Sequence, residues 1–169
     1  IYRMHTLSKN TLGWGAPEYT HGRQHYMEFE QADEEMPMAV VTGYDPVTFI
    51  MGATRTPPGI DEFHIGGALR GEAIDMMASG ADGIPVPATS EFVFEGVIKP
   101  HHREIEGGFG EYTRFYGEAR SNPVFEVRRI THRKKPIFLG AREQWEPSDS
   151  TLVNGKSSQA EAFKTVKSL

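Results

Sequence analysis

The chain contains no cysteine. That excludes disulfide staples, thiolate nucleophiles and every zinc site built on sulfur, and leaves His, Asp, Glu and Asn as the available metal ligands. Also missing is any run approaching the roughly 18 to 20 apolar residues of a membrane-spanning helix, and the opening IYRMHTLSKN has no signal-peptide layout. A cytoplasmic protein fits these absences. Positive charge is not in excess either: 18 Lys and Arg stand against 23 Asp and Glu, a formal net charge of −5. No global field then gathers nucleic acid or an anionic membrane, so neither partner is expected and any anion site has to be local.

What is present is an ordinary globular composition: 169 residues, 38% of them apolar, enough for one domain with a usable core. The first residue is Ile1 and the first stretch already resembles the inside of an element, so a segment of a longer protein is expected. Ile1 to Leu7 and Thr11 to Trp14 flank Ser8, Lys9 and Asn10, which predicts a hairpin. Gly15 to Glu35 lacks clear periodicity and reads as a long functional loop followed by a short helix. Met38 to Thr42 reads as a strand, Val47 to Met51 as a helical turn or two, and Glu62 to Leu69 as a helix capped by Asp61 and ended at Gly71. Ala73 to Met77, Glu91 to Lys99 and Val124 to Arg133 read as strands, with Pro136 to Gly140 as an extension. Ser158 and Glu161 have capping-box spacing before the stripe Ala162, Phe163, Val166, Leu169, which predicts a C-terminal helix. The sum is a mainly β chain with a few helices (α+β), an antiparallel barrel or sandwich over 1–145, then a linker and helix over 146–169.

The segment Glu106-Gly107-Gly108-Phe109-Gly110-Glu111 is the most informative for chemistry. On an extended strand its two carboxylates would sit roughly 17 Å apart on opposite faces, and on a helix they would diverge. Only a tight turn returns Glu111 beside Glu106, and the glycines supply backbone freedom for one. Two such carboxyls in a partly dry site divide the labour, one ionised and one donating a proton. The ordinary alternative is a surface loop flanked by solvated glutamates.

His21, His25 and Glu62 form a sulfur-free donor set suited to Mn or Mg, with surface histidines and a helix-dipole glutamate as the ordinary alternative. His5, His64, His101, His102 and His132 read as ordinary histidines. The basic run Arg128, Arg129, Arg133, Lys134, Lys135 reads as a solvated strand face, because no aromatic residues interleave with it. Arg3 among Ile1, Tyr2 and Met4 calls for a carboxylate partner or a bound anion.

Taken in order, several strings resemble the UbiD family. Tyr2-Arg3 resembles the end of its Asn-x-x-x-x-Arg signature, and PPGIDEF (Pro57 to Phe63) with GGALRGE (Gly66 to Glu72) resembles its Glu-containing segment. VPATSEFVFEG (Val86 to Gly96) resembles its central strand, EGGFGEYT (Glu106 to Thr113) its acidic loop, and PVFEVRRITHRKKPI (Pro123 to Ile137) the strand that follows. Gly108 stands where the family's acidic loop has Pro, and the signature's Asn would fall before Ile1.

The resemblance implies a split β-barrel related to flavin-reductase barrels that binds prenylated FMN with a divalent metal, Mn2+ foremost, and a monovalent cation, K+ or Na+. It implies Arg3, Glu106 and Glu111 as catalytic residues, with Glu111 moving the proton at the substrate carbon and Glu106 holding Arg3. Arg3, His21, Thr54, Arg55 and Glu62 would contact the cofactor. His21 and Glu62 would bind the metal, with His25 as the alternative to His21. The implied activity is reversible non-oxidative decarboxylation of an aromatic or α,β-unsaturated acid, with CO2, a flavin prenyltransferase as cofactor supplier and a homo-oligomer in the full protein. Two alternatives come from other classes: a non-catalytic flavin- or metal-binding subunit, and a metal-dependent hydrolase using His21, His25 and Glu62 with Glu111 as base.

Overall fold

The structure is a computed structural model that describes residues 2–54, 56, 59–80, 82–111, 114–142 and 147–167. Its first two strands, β1 (Arg3–Thr6) and β2 (Thr11–Gly15), form the expected hairpin, with Arg3 opposite Gly15 and His5 opposite Gly13. Ser8 closes the turn through its hydroxyl, 2.7 Å from that of Thr11. The hairpin is the edge of a five-stranded antiparallel sheet that also contains β3 (Met36–Thr42), β6 (Phe92–Glu106) and β7 (Arg120–His132), in the order β1-β2-β7-β6-β3. This curled sheet is a half-barrel, and the mainly β architecture with a few helices is as the sequence predicts.

Trp14, Tyr26, Met36, Ile98 and Phe125 make the core, with the Trp14 and Tyr26 rings edge to face at 6.1 Å. The long β6–β7 ladder bends twice. At Glu95/Gly96 the register slips, and a Cβ on Gly96 would lie 1.9 Å from the Glu126 carbonyl oxygen, so only glycine fits against the bulged partner strand. Between Ile98 and Arg103 a second irregularity includes His101 at φ 55°, and beyond it the ladder resumes from Arg103 to Glu106. That final stretch carries Glu106 into the site.

The first helix, α1 (His21–Gln31), is longer than the short helix expected after a long loop within Gly15 to Glu35. Its extent escapes a periodicity test because the inward face holds only Tyr26 and Phe29 as large apolar groups, beside Gly22, Arg23 and Glu30. Two short helices follow, α2 (Pro46–Ala53) and α3 (Glu62–Arg70). Asp45 Oδ1 accepts from the N–H groups of Val47 and Thr48, with Pro46 at the first helical position. Asp61 Oδ1 accepts from Phe63 N at 2.8 Å, and Gly71 ends α3 at φ 78°, both as expected.

A small hairpin of β4 (Met76–Ala78) and β5 (Pro85–Pro87) lies apart from the main sheet. The strand expected from Ala73 to Met77 is displaced toward Ala78, and the prolines of β5 hid it from a propensity argument. Pro136 to Gly140 does not extend β7. The last helix, α4 (Asp149–Lys167), starts well before the expected capping box, leaving Ser158 inside it. Ser148 does the capping instead: its hydroxyl accepts from Thr151 N at 3.2 Å, and its carbonyl from Leu152 N. No helix among the described residues is long and apolar enough to cross a membrane. In the basic run of β7 and the residues after it, Arg128 meets Glu35 at 2.9 Å and Arg133 meets Glu91 at 3.6 Å, while Arg129 lies 3.6 Å from the buried Glu95.

Candidate active site

Arg3, at the start of β1, lies between two glutamates. Its Nε is 2.9 Å from Glu106 Oε1 and its Nη1 donates to Glu111 Oε1 at 3.0 Å. The two acids have opposite environments: the Glu106 side chain is 1% exposed and that of Glu111 is 40% exposed. The ion pair expected for Arg3 is therefore present, and its partner is a carboxylate almost sealed from water. Phe109, from the loop between the acids, lies under the guanidinium with its ring centre 4.6 Å from Cζ, which fixes the plane of the arginine.

The loop does bring Glu111 to the arginine that Glu106 holds. Among the described residues the left-handed glycines are Gly43, Gly59, Gly71 and Gly83, none of them in the acidic loop. Beyond Glu111 the chain is tied back to the loop: Gly110 bridges to Tyr116, Gly117 N donates to Phe109 O, and Arg114 takes φ 72°. Glu111 N donates to Phe115 O at 3.0 Å, which ties its backbone into that small hairpin.

His21, the first residue of α1, and Glu62, the first of α3, converge from separate helices: His21 Nδ1 is 3.4 Å from Glu62 Oε1. Both side chains are about a third exposed, 35% and 37%. One nitrogen and one carboxylate, open on one side, fit a divalent cation that takes its other ligands from water, phosphate or another residue. Thr56 donates to Glu62 Oε1 at 2.8 Å and orients it. Among the described residues there is no group of three or more His, Asp or Glu gathered to hold a metal, so this pair is an incomplete set. His25 is on the opposite side of this choice: its Nδ1 lies 3.7 Å from Glu28, and its side chain is 70% exposed. Thr54 donates to Ile50 O at the end of α2, and Arg55 lies outside the described residues.

The helix that presents His21 is held at both ends. Tyr2 accepts from Gly22 N through its hydroxyl oxygen at 3.0 Å, tying the first turn of α1 to β1 next to Arg3. At the other end Glu30 takes both Arg103 nitrogens at 2.8 Å, His101 N at 3.0 Å and the Tyr26 hydroxyl at 2.6 Å. Arg103 above all holds the Glu30 carboxyl down at about 2, from an ordinary 4.5. Burial, and then the hydrogen bond to Glu30, push the Tyr26 phenol up to about 12.

Sequence reasoning missed His5, Asn122 and Tyr2. His5 Nδ1 is 3.7 Å from Glu106 Oε1, and the Asn122 amide donates to Glu106 Oε2. The signal available for His5 was its position two residues from Arg3, which puts both side chains on one face of β1. Nothing local marked Asn122, since its partner is sixteen residues away.

The fold has close counterparts among solved structures. An evolved dimeric form of the UbiD-class enzyme HmfF from Pelotomaculum thermopropionicum, in complex with prFMN, superposes with a TM-score of 0.93 at 30% identity, over 99% of this chain and 38% of that one. The vanillic acid decarboxylase of Sedimentibacter hydroxybenzoicus in its closed form matches at 0.78 and 32% identity, over 81% of this chain and 29% of that one. The 3,4-dihydroxybenzoic acid decarboxylase of Klebsiella pneumoniae shares the fold, at 0.86 and 23% identity over 99% of this chain and 36% of that one. The chain thus spans under two-fifths of the length of each of these neighbours. The family model described as the 3-octaprenyl-4-hydroxybenzoate carboxy-lyase Rift-related domain matches residues 1–143. That match identifies the chain as a member of the UbiD family.

Proposed function

We propose that this chain is the cofactor-binding part, residues 1–145 with a following helix, of a reversible non-oxidative decarboxylase acting on an aromatic or α,β-unsaturated carboxylic acid with prenylated FMN. The observation that carries the proposal is Arg3 shared between a buried and an open carboxylate. Glu106 can neutralise and orient Arg3 without touching substrate, because almost none of it reaches solvent. Arg3 is then a fixed cation for the substrate carboxylate, and Glu111, on the open side, is the acid within reach of the same ligand.

Decarboxylation leaves an electron pair on carbon, and the bound modified flavin supplies the sink for it. The work of the chain's own residues is position and protons. Arg3 orients the carboxylate. Glu111, protonated, delivers a proton to the carbon that loses CO2, and in the reverse direction removes it. The half-exposed setting of Glu111 lets it exchange that proton with solvent between turnovers.

His21 and Glu62 would hold a divalent cation, Mn2+ foremost, at the cofactor phosphate, with K+ or Na+ beside it. Their support is the 3.4 Å approach of a nitrogen and an oxygen donor from two helix starts. The prFMN and FMN complexes of the HmfF neighbours support a flavin. A homo-oligomer and a flavin prenyltransferase as supplier complete the proposal. The rival of a non-catalytic flavin or metal binder leaves the Glu111 contact to Arg3 without a use.

The test is production of the complete protein beside a flavin prenyltransferase, followed by intact mass, visible spectrum and metal content. CO2 release is then measured from vanillic, 3,4-dihydroxybenzoic and cinnamic acids. Bound prenylated FMN with turnover of one of these acids is the expected result. A protein that takes up metal but no flavin would leave the hydrolase reading in its place.

A further inference from the structure

Glu106 is held by more than its arginine. The Asn122 amide reaches its Oε2 from β7, and His5 Nδ1 stands 3.7 Å from its Oε1. Gly13 of β2 leaves room for the carboxylate: a Cβ there would come 3.4 Å from Oε2 and 3.7 Å from Cγ. Next to a carboxylate the amide has to present its NH2 group and not its carbonyl. The charged and titratable groups around Glu106 are Arg3 and His5 from β1 and, through Arg3, Glu111 from the loop. β2 brings the uncharged Gly13, and β7 brings the uncharged Asn122 and, opposite Glu106 in the ladder, Arg120.

A carboxylate that is 1% exposed has no solvent to replace a lost donor, so its protein partners decide which way its oxygens point. Two cationic or titratable neighbours, Arg3 and His5, converge on Oε1, and Asn122 is the hydrogen-bond donor on Oε2. Without it, Oε2 would be buried next to a glycine, and the group would turn to share Arg3 differently. Arg3 would move with it, and so would its contact to Glu111.

We infer that Asn122 is a positioning residue: it locks Glu106 so that Oε1 faces Arg3 Nε, which leaves Arg3 Nη1 aimed at Glu111. The inference rests on the roles proposed above for Arg3 and Glu111, and concerns a residue that touches neither substrate nor cofactor in that scheme. Its chemistry also makes a particular prediction. An amide donates at every pH, whereas a carboxyl of the same size donates only while protonated.

The experiment compares the complete, cofactor-loaded parent with Asn122→Leu and Asn122→Asp, both with asparagine's branched skeleton of heavy atoms. The probe acid is whichever of the three above the parent turns over. Asn122→Leu is expected to lower kcat about ten- to a hundredfold at all pH values, the worth of a hydrogen bond to a charged group. Asn122→Asp should be as slow at neutral pH and recover toward the parent below about pH 5, where a carboxyl regains its proton. A merely structural role would scale both profiles without that recovery. The second readout needs no turnover: in a crystal structure of cofactor-free Asn122→Leu, Arg3 Nε should have left Glu106 Oε1. Parent-like kcat and pH profile in both variants, or an unmoved Arg3–Glu106 pair, would overturn the inference. An inactive parent would count against the proposed function, and the crystal structure would still decide for or against Asn122.

Discussion

Arg3 Nε sits 2.9 Å from Oε1 of Glu106, a carboxylate with 1% of its side chain exposed, while 26% of the arginine side chain remains open. The pair joins β1 to the far end of β6, so it ties the edge hairpin to an inner strand as well as shaping the site. Replacing Arg3 with Met leaves a buried carboxylate without its cation. The expected loss is about 3 kcal/mol, at the low end for a broken buried pair because the arginine is partly open. Urea denaturation of parent and variant measures it, and a difference within about 0.5 kcal/mol would show that Glu106 finds another partner.

Glu30 gives the fold a definite acid limit. Its carboxyl is held at about 2 against an ordinary 4.5, chiefly by Arg103, so the folded state binds the proton more weakly than the unfolded one. The stabilisation is then fully present above about pH 4.5 and lost as pH falls toward 2. On the order of 2 kcal/mol is at stake. Tyr26 sets the opposite limit: with its phenol raised from 10.0 to about 12, its contribution is present below pH 10 and lost as pH rises through 12. Denaturation midpoints across pH should fall on the acid side in the parent and flatten there in Glu30→Gln.

Gly22 lies where the first turn of α1 presses on β1 and β2. A Cβ would meet the Tyr2 hydroxyl oxygen at 2.6 Å and Trp14 Cζ2 at 3.1 Å. Gly22→Ala should cost about 1 to 3 kcal/mol by overpacking and push His21 off its approach to Glu62. A paired measurement of stability and Mn2+ affinity checks both, and unchanged affinity in a destabilised variant would separate His21 from the metal.

Glu62→Gln keeps the shape of the side chain and the Thr56 contact while removing the charge. Metal and flavin should be lost together, by about ten- to a hundredfold in affinity. Full occupancy of both in the variant, read by metal analysis and absorbance, would remove Glu62 from the proposed site.

The parts of this architecture legible in sequence were those with strong local chemistry. The hairpin at Ser8 to Asn10, the Asp61 and Gly71 boundaries of α3, and the β-branched runs of β6 and β7 follow from turn, cap and strand preferences. The full extent of α1 escaped because only Tyr26 and Phe29 pack on the core from it, and it is held by Glu30, Arg103 and Tyr2 at long range. Within the site, Arg3 could be paired with an acid because an arginine in an apolar start needs one. Asn122 could not be found, since an asparagine beside a proline looks like a turn residue until β7 brings it to Glu106. In sequence the glycines of the acidic loop look like the source of its reversal, but among the described residues none of them takes a left-handed conformation.

The central claim is that Glu111 moves the proton at the reacting carbon. Glu111→Gln preserves the shape and a hydrogen bond to Arg3 while removing the acid, so fold and cofactor content should match the parent. The decisive measurement is turnover together with deuterium exchange from solvent into the carbon that loses CO2, for parent and Glu111→Gln at equal cofactor occupancy. The account predicts a loss of about 10²- to 10⁴-fold in turnover, the usual contribution of a positioned acid, and no exchange in the variant. Equal turnover and equal exchange in both proteins would contradict it and assign the proton to another group.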